Sequence, residues 1–314
     1  MKQLLRRPWF GPLVALALVY ALFAVLSPDT FAGTPNLVTM ARQTVVVAIT
    51  AVGMTVVMVQ GGIDLSVGSG VALTTVVVAW LLRHGAGPWS ASLAGIAVSG
   101  LAGLVTGLLI TRLRVTPFII TLGSMSVLRG LAKGLAHEQK IDADARGLDR
   151  LLTPLTGSWS PVPVGVWIAI AIALLAGGAL GYTRFGRHVF AVGSNEQAAR
   201  LCGIDVGRVR IAVYTLAALL TGVAGVMEFS TLTVGDPTDS IGLELEVIAA
   251  VVFGGGSLAG GEGSIRGTLV GALLMTVIKT GSTHLGLPNW VQQIVTGAII
   301  VTAVAVDRVR RGRE

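Results

Sequence analysis

Ten apolar runs, each sixteen to twenty-three residues long, leave this chain one environment in which to fold. They cover residues 9–26, 37–59, 67–82, 89–110, 117–135, 164–181, 211–233, 243–258, 264–282 and 290–306. About 20 apolar residues in a helix cross the hydrocarbon core of a bilayer, and these runs sit at or near that length. A strand would need only about half as many, and backbone inside lipid must bond to itself, so helices are predicted throughout. Charged residues make up 12% of the chain, about half the share of a soluble domain. The predicted fold class is an all-α polytopic membrane protein of about ten transmembrane helices, in one membrane domain covering residues 1–314. The run at 243–258 is short enough to be a re-entrant or broken element instead.

Charge decides the orientation. Basic residues in short loops mark the cytoplasmic side. The stretch 182–210 holds Arg184, Arg187, Arg200, Arg208 and Arg210, opposed only by Glu196 and Asp205. Both ends are basic too, with Lys2, Arg6 and Arg7 at the start and Arg308, Arg310, Arg311 and Arg313 in the tail. An even number of spans puts both termini on that cytoplasmic side. Orientation therefore explains the net charge of +7 better than nucleic acid does. The first run is long for a signal peptide and lacks a small-x-small site before Ser27, so it reads as a retained span. Residues 136–163, mixed in charge and carrying Trp159, read as an external loop with a half-ordered surface. The one cysteine, Cys202, excludes an internal disulfide and a cysteine metal cluster.

Within the basic stretch, residues 195–201 predict a short helix, with Ser194 to cap it and Gly203 to end it. Such a helix serves either as a solvated connector or as a docking point for a soluble partner. With A-V-G-x-N-x-x-A-A-x-x-x-G-I over 191–204, it resembles the coupling loop of bacterial sugar ABC importer permeases, the ribose-type membrane subunits. The resemblance extends over nearly the whole chain. It implies a type II ABC importer-like fold in the bacterial inner membrane, with 182–210 as the coupling loop. Gly193, Asn195, Glu196, Ala198, Ala199, Arg200 and Gly203 would then make the contact to an ATP-hydrolysing subunit. Ala198 and Ala199 would offer a small surface to a partner groove, and Glu196 with Arg200, four apart, would support the helix by about 0.2–0.5 kcal/mol. The implied partners are two ATP-binding cassette subunits, a second permease copy or a related permease, an extracytoplasmic solute-binding protein and membrane lipid.

Three glycine-rich breaks interrupt the apolar pattern. GGIDLSVGS at 61–69 resembles a signature of the same permeases. Its Gly61 and Gly62 free the end of one helix, while Asp64 or Ser66 can cap the next or line a translocation path. TPFIITLG at 116–123 resembles the opening of the family's fifth span. Thr116 suits a cap before Pro117, and Thr121 is a pathway candidate. Phe118 either stacks on a sugar or faces lipid. Arg129 and Lys133 either snorkel or meet the binding protein. The third break, 242–264, resembles E-L-(D/E)-x-I-A-A-V-V-x-G-G-x-S-L-x-G-G-x-G, with Glu246 where Asp is common. Glu244 and Glu246 suit a helix start or the mouth of a path.

Absences narrow the chemistry. No G-x-x-x-x-G-K-[ST] loop offers an ATP site, and His84, His137, His188 and His284 stand far apart. No catalytic residue, cofactor or metal site is expected. A scarcity of charge in the runs argues against an ion-coupled secondary transporter, and no acid–base cluster supports a membrane enzyme. Energy must come from a partner. The expected function is the path-forming subunit of an importer for a monosaccharide or similar small polyol. Permeases for branched-chain amino acids or nucleosides are the alternative, and GGIDLSVGS favours the sugar branch.

Overall fold

The computed structural model describes residues 10–28, 30–152 and 162–311. Lys2, Arg6, Arg7, Trp159 and Arg313 lie outside the described residues. The helices are α1 (Phe10–Leu26), α2 (Thr34–Val59), α3 (Val67–Arg83), α4 (Pro88–Leu113), α5 (Pro117–Leu135), α6 (Val164–Tyr182), α7 (Arg184–Ser194), α8 (Glu196–Leu201), α9 (Val206–Leu232), α10 (Leu243–Phe253), α11 (Ile265–His284) and α12 (Asn289–Arg311). Five of these, α2, α4, α5, α6 and α9, are long and apolar enough to cross a membrane. Helices α1 and α3 are apolar but shorter, at 17 residues each.

The bundle is built around α2. From Thr44 to Val59 every residue is buried, against α6, α9, α10 and α11. The periphery is the reverse of a soluble surface. Leu101 on α4, Val127 on α5, and Leu174 and Leu175 on α6 are 61–74% exposed. Such a surface would drive aggregation in water, whereas acyl chains solvate it. Inside, hydrophobicity no longer sorts helix from helix, so small residues and hydroxyls set the contacts. Helices α4 and α9 cross at Gly103, where a Cβ would lie 2.5 Å from the Tyr214 carbonyl oxygen. One turn away, the Ser99 hydroxyl donates to the Ala218 carbonyl at 2.7 Å.

Two expectations need correction, and the eighth run takes the broken form left open for it. The eighth run is not a continuous span: α10 has 11 residues, a rise of about 16 Å. It stops at the glycines of 254–256, where Gly255 adopts a φ of +85°. The chain then continues as a non-helical loop whose Gly261 N–H donates to the Val59 carbonyl at 2.8 Å. The fold is also not purely helical. Strand β1 (Ile141–Asp142) pairs antiparallel with β2 (Val234–Gly235), placing Ile141 opposite Gly235, and Lys140 pairs with Asp236 beside it at 2.9 Å. The described part of the 136–163 segment is therefore pinned, and Ile141, Ala145 and Leu148 are buried with α3 side chains. Finally, the basic stretch holds two helices, α7 and α8, where one was expected.

Candidate functional site

Two places gather the residues that matter, and α9 runs from one towards the other. At the basic end, α7 turns Val189 and Val192 inward and leaves Arg184, Arg187 and His188 exposed. Ser194 is its last residue, so it does not cap α8. Asn195 does, its side-chain oxygen accepting from the Ala198 N–H at 2.9 Å. Gly203, at a φ of +81°, ends α8 as expected. Glu196 receives Arg200 at 2.7 Å and Arg210 of α9 at 2.9 Å, which ties α8 to the long helix. Hydrogen bonds from Arg200, then the Arg210 guanidinium, hold the Glu196 carboxyl below the usual carboxylate range in spite of partial burial. The link is therefore present at neutral pH and is lost only as pH falls through that lowered value. Ala199 is 4% exposed and packs into the core, so it is no docking surface. The outward face is Gln197, Ala198 and Arg200 with Leu201, which is 90% exposed.

At the end of α7, Gly193 meets the first and the third glycine-rich breaks. A Cβ on Gly193 would collide with the Val59 carbonyl oxygen and lie 2.7 Å from the Gly261 N. A Cβ on Gly260 would lie 2.8 Å from the Gly61 Cα and 2.9 Å from the Gly193 carbonyl oxygen. The end of α2, the end of α7 and the loop after α10 are thus joined backbone to backbone.

Towards the other end, α2, α9, α10, α11 and the 236–242 loop enclose a cavity of about 440 Å³. Charged and polar side chains line it, among them Arg42, Gln43, Glu228, Asp239, Glu246 and Lys279. Lys279 pairs with Glu246 at 3.0 Å, the Thr280 hydroxyl donates to Gln43 at 3.0 Å, and the Ser240 hydroxyl donates to Asp239 at 2.9 Å. Arg129 reaches from α5 to the Pro237 and Asp239 carbonyls at 2.9 and 2.7 Å, so it braces this loop rather than facing a partner.

A family described as "Branched-chain amino acid transport system / permease component" matches residues 36–304. The chain belongs to this family. The ribose import permease protein of Escherichia coli is 41% identical over 301 residues, covering 94% of this permease and 92% of the relative. That of Bacillus subtilis is 36% identical over 298 residues, 95% and 92% of the two chains. The L-arabinose ABC transporter permease protein of Azospirillum brasilense is 36% identical over 311 residues, 99% and 90% of the two.

The sequence-predicted path residues of the permease do not gather at one point. Only Glu246 is on the cavity wall. Glu244 lies in the first turn of α10, behind a Gly242 whose φ is +88°. Phe118 is half exposed on α5 and is not among the side chains lining this cavity. Thr116 makes no side-chain cap bond. Thr121 is buried and donates to the Phe118 and Ile63 carbonyls at 3.2 and 3.3 Å, a strut between α5 and the first break. Sequence reasoning did not single out the exposed Leu201, nor Arg42, Glu228 and Lys279 on the cavity wall. The last three are charges inside or at the ends of apolar runs, the one signal that could have found them. They are partly exposed, and among the described residues Asp64 is the one acidic or basic residue that is fully buried. Family membership, not charge, sets the ion-coupled alternative aside.

Asp64 of the permease is buried, and Ser66 makes no cap bond to α3. One Asp64 carboxylate oxygen instead accepts from the Ser66 N–H at 2.9 Å and its hydroxyl at 2.6 Å. An amide oxygen accepts equally well, so Asp64→Asn leaves membrane abundance and uptake near wild type. Asp64→Ala strands two buried donors at a cost of about 1–3 kcal/mol, read as lower abundance and an earlier thermal unfolding. Lost uptake in Asp64→Asn at normal abundance would give the charge itself a role in transport.

Proposed function

We propose that this permease is the membrane subunit of an ATP-driven importer for ribose or a closely similar small polyol. Its identity with ribose and arabinose permeases over nearly its whole length carries the reading. The chain crosses the bacterial inner membrane ten times with both ends in the cytoplasm, α10 and the following loop together making the eighth passage. Two ATP-binding cassette subunits dock at the exposed face of α8. A second permease, identical or related, completes the path, and an extracytoplasmic binding protein delivers the cargo. Hydrolysis of ATP resides on the partner subunits.

Two measurements test this. Proteoliposomes holding the permease with its ATPase and binding protein will accumulate labelled D-ribose or L-arabinose in an ATP-dependent manner, and will not accumulate leucine. Leucine uptake without sugar uptake would move the chain to the amino-acid branch. Cys202, exposed and free, will resist impermeant thiol reagents in intact cells and react in inverted vesicles. Labelling from outside would reverse the orientation.

A further inference from the structure

We propose that the cavity among α2, α9, α10 and α11 is a cargo-contacting station for a neutral polyhydroxyl solute, with Glu228 and Arg42 hydrogen-bonding its hydroxyls. This rests on the sugar-permease reading and sharpens it, because it makes the membrane subunit itself a reader of the cargo. The cavity's size, about 440 Å³, falls within the roughly 300–1,000 Å³ of small-molecule sites. Its wall is more polar than a packing defect between apolar spans would be.

The decisive groups are the unengaged ones. Around the wall, Lys279 is held by Glu246, Gln43 by Thr280, and Asp239 by Ser240. The Glu228 carboxylate, one turn before the end of α9, makes no hydrogen bond or ion pair among the described residues. The Arg42 guanidinium, also on this wall, likewise makes no hydrogen bond or ion pair among the described residues, its Nε being buried with no acceptor. A charge in a membrane helix persists where it faces water, a partner charge or a transported solute. One free acceptor and one free donor on the same wall suit a hydroxyl group, which both donates and accepts. Basic and acidic side chains, Arg42 and Lys279 with Glu228, Asp239 and Glu246, line the same cavity. A wall that mixes both signs offers donors and acceptors to a neutral polyhydroxyl solute without requiring it to carry a charge.

The test uses the permease–ATPase complex in nanodiscs without binding protein, with D-ribose at millimolar concentration as the probe. Saturation-transfer NMR should show ribose contact in the wild-type complex. Glu228→Ala and Arg42→Ala should each weaken that contact about tenfold, the scale of one lost hydrogen bond to a charged group. Glu228→Gln keeps the shape and one acceptor oxygen, so it should lose several-fold and still co-purify with the ATPase. It carries the test should the alanine variants fail to assemble. Wild-type contact unchanged in Glu228→Gln and Arg42→Ala, or no contact in a complex that still takes up ribose, would overturn the station and leave the sugar-permease reading standing. Uptake of neither ribose nor arabinose by the wild-type assembly would overturn that reading and the station with it.

Discussion

Leu201→Asp will abolish ATP-driven uptake while the permease stays in the membrane at its normal level. Leu201 is 90% exposed at the end of α8, on the side away from the bundle. A leucine buried by a partner contributes about 1.5–3 kcal/mol. An aspartate there replaces that gain with a charge stripped of water. The combined loss is enough to lower the docked fraction by about a hundredfold or more, so the ATPase should no longer co-purify. Ala199→Asp separates docking from folding. Ala199 packs inward at 4% exposure, so its aspartate puts a charge in the core and should reduce abundance itself. Full uptake and an intact complex in Leu201→Asp would reduce α8 to a connector.

Gly193→Ala should cost nearly as much by a different route. Its added methyl meets the Val59 carbonyl oxygen and the Gly261 N, the two atoms joined by the 2.8 Å bond across the junction. Both neighbours are backbone, so no rotamer change makes room. Overpacking of this kind costs about 1–3 kcal/mol, and the broken bond adds about 1 kcal/mol. Thermal unfolding in detergent should fall by on the order of 5–10 °C, with uptake falling further than abundance. Gly178→Ala on α6, where nothing lies within 4 Å of the new methyl, should change neither. A Gly193→Ala protein with wild-type melting and uptake would show that the junction tolerates separation.

The mostly helical, apolar character of the chain was legible because length and apolarity are local properties, and so was the short helix after Asn195. Its cap was misassigned by one residue because Ser194 and Asn195 cap equally well, and only the arrival of α7 takes Ser194 away. Gly61 and Gly62 announced a freed helix end, but nothing local says that they meet the glycines at 193 and 260–261. The two-residue strands are too short to show a period of two. The cavity was least legible of all. Arg42, Glu228 and Lys279 are single charges on three helices, separated by up to 237 positions, and composition averages them away.

Helix α9 puts the two ends of this molecule on one rod. Arg210 near its start grips Glu196 of the exposed helix, and Glu228 near its finish faces the cavity, eighteen residues and about 27 Å along the same axis. Pivoted near its start, a tilt of about 5° would carry the far end through roughly 2 Å, since displacement grows with the lever arm. That is close to the difference between a hydroxyl within reach of Glu228 and one beyond it. A rigid lever of this length would let a push at one membrane face alter the grip on cargo near the other, with no chain of intermediates between them.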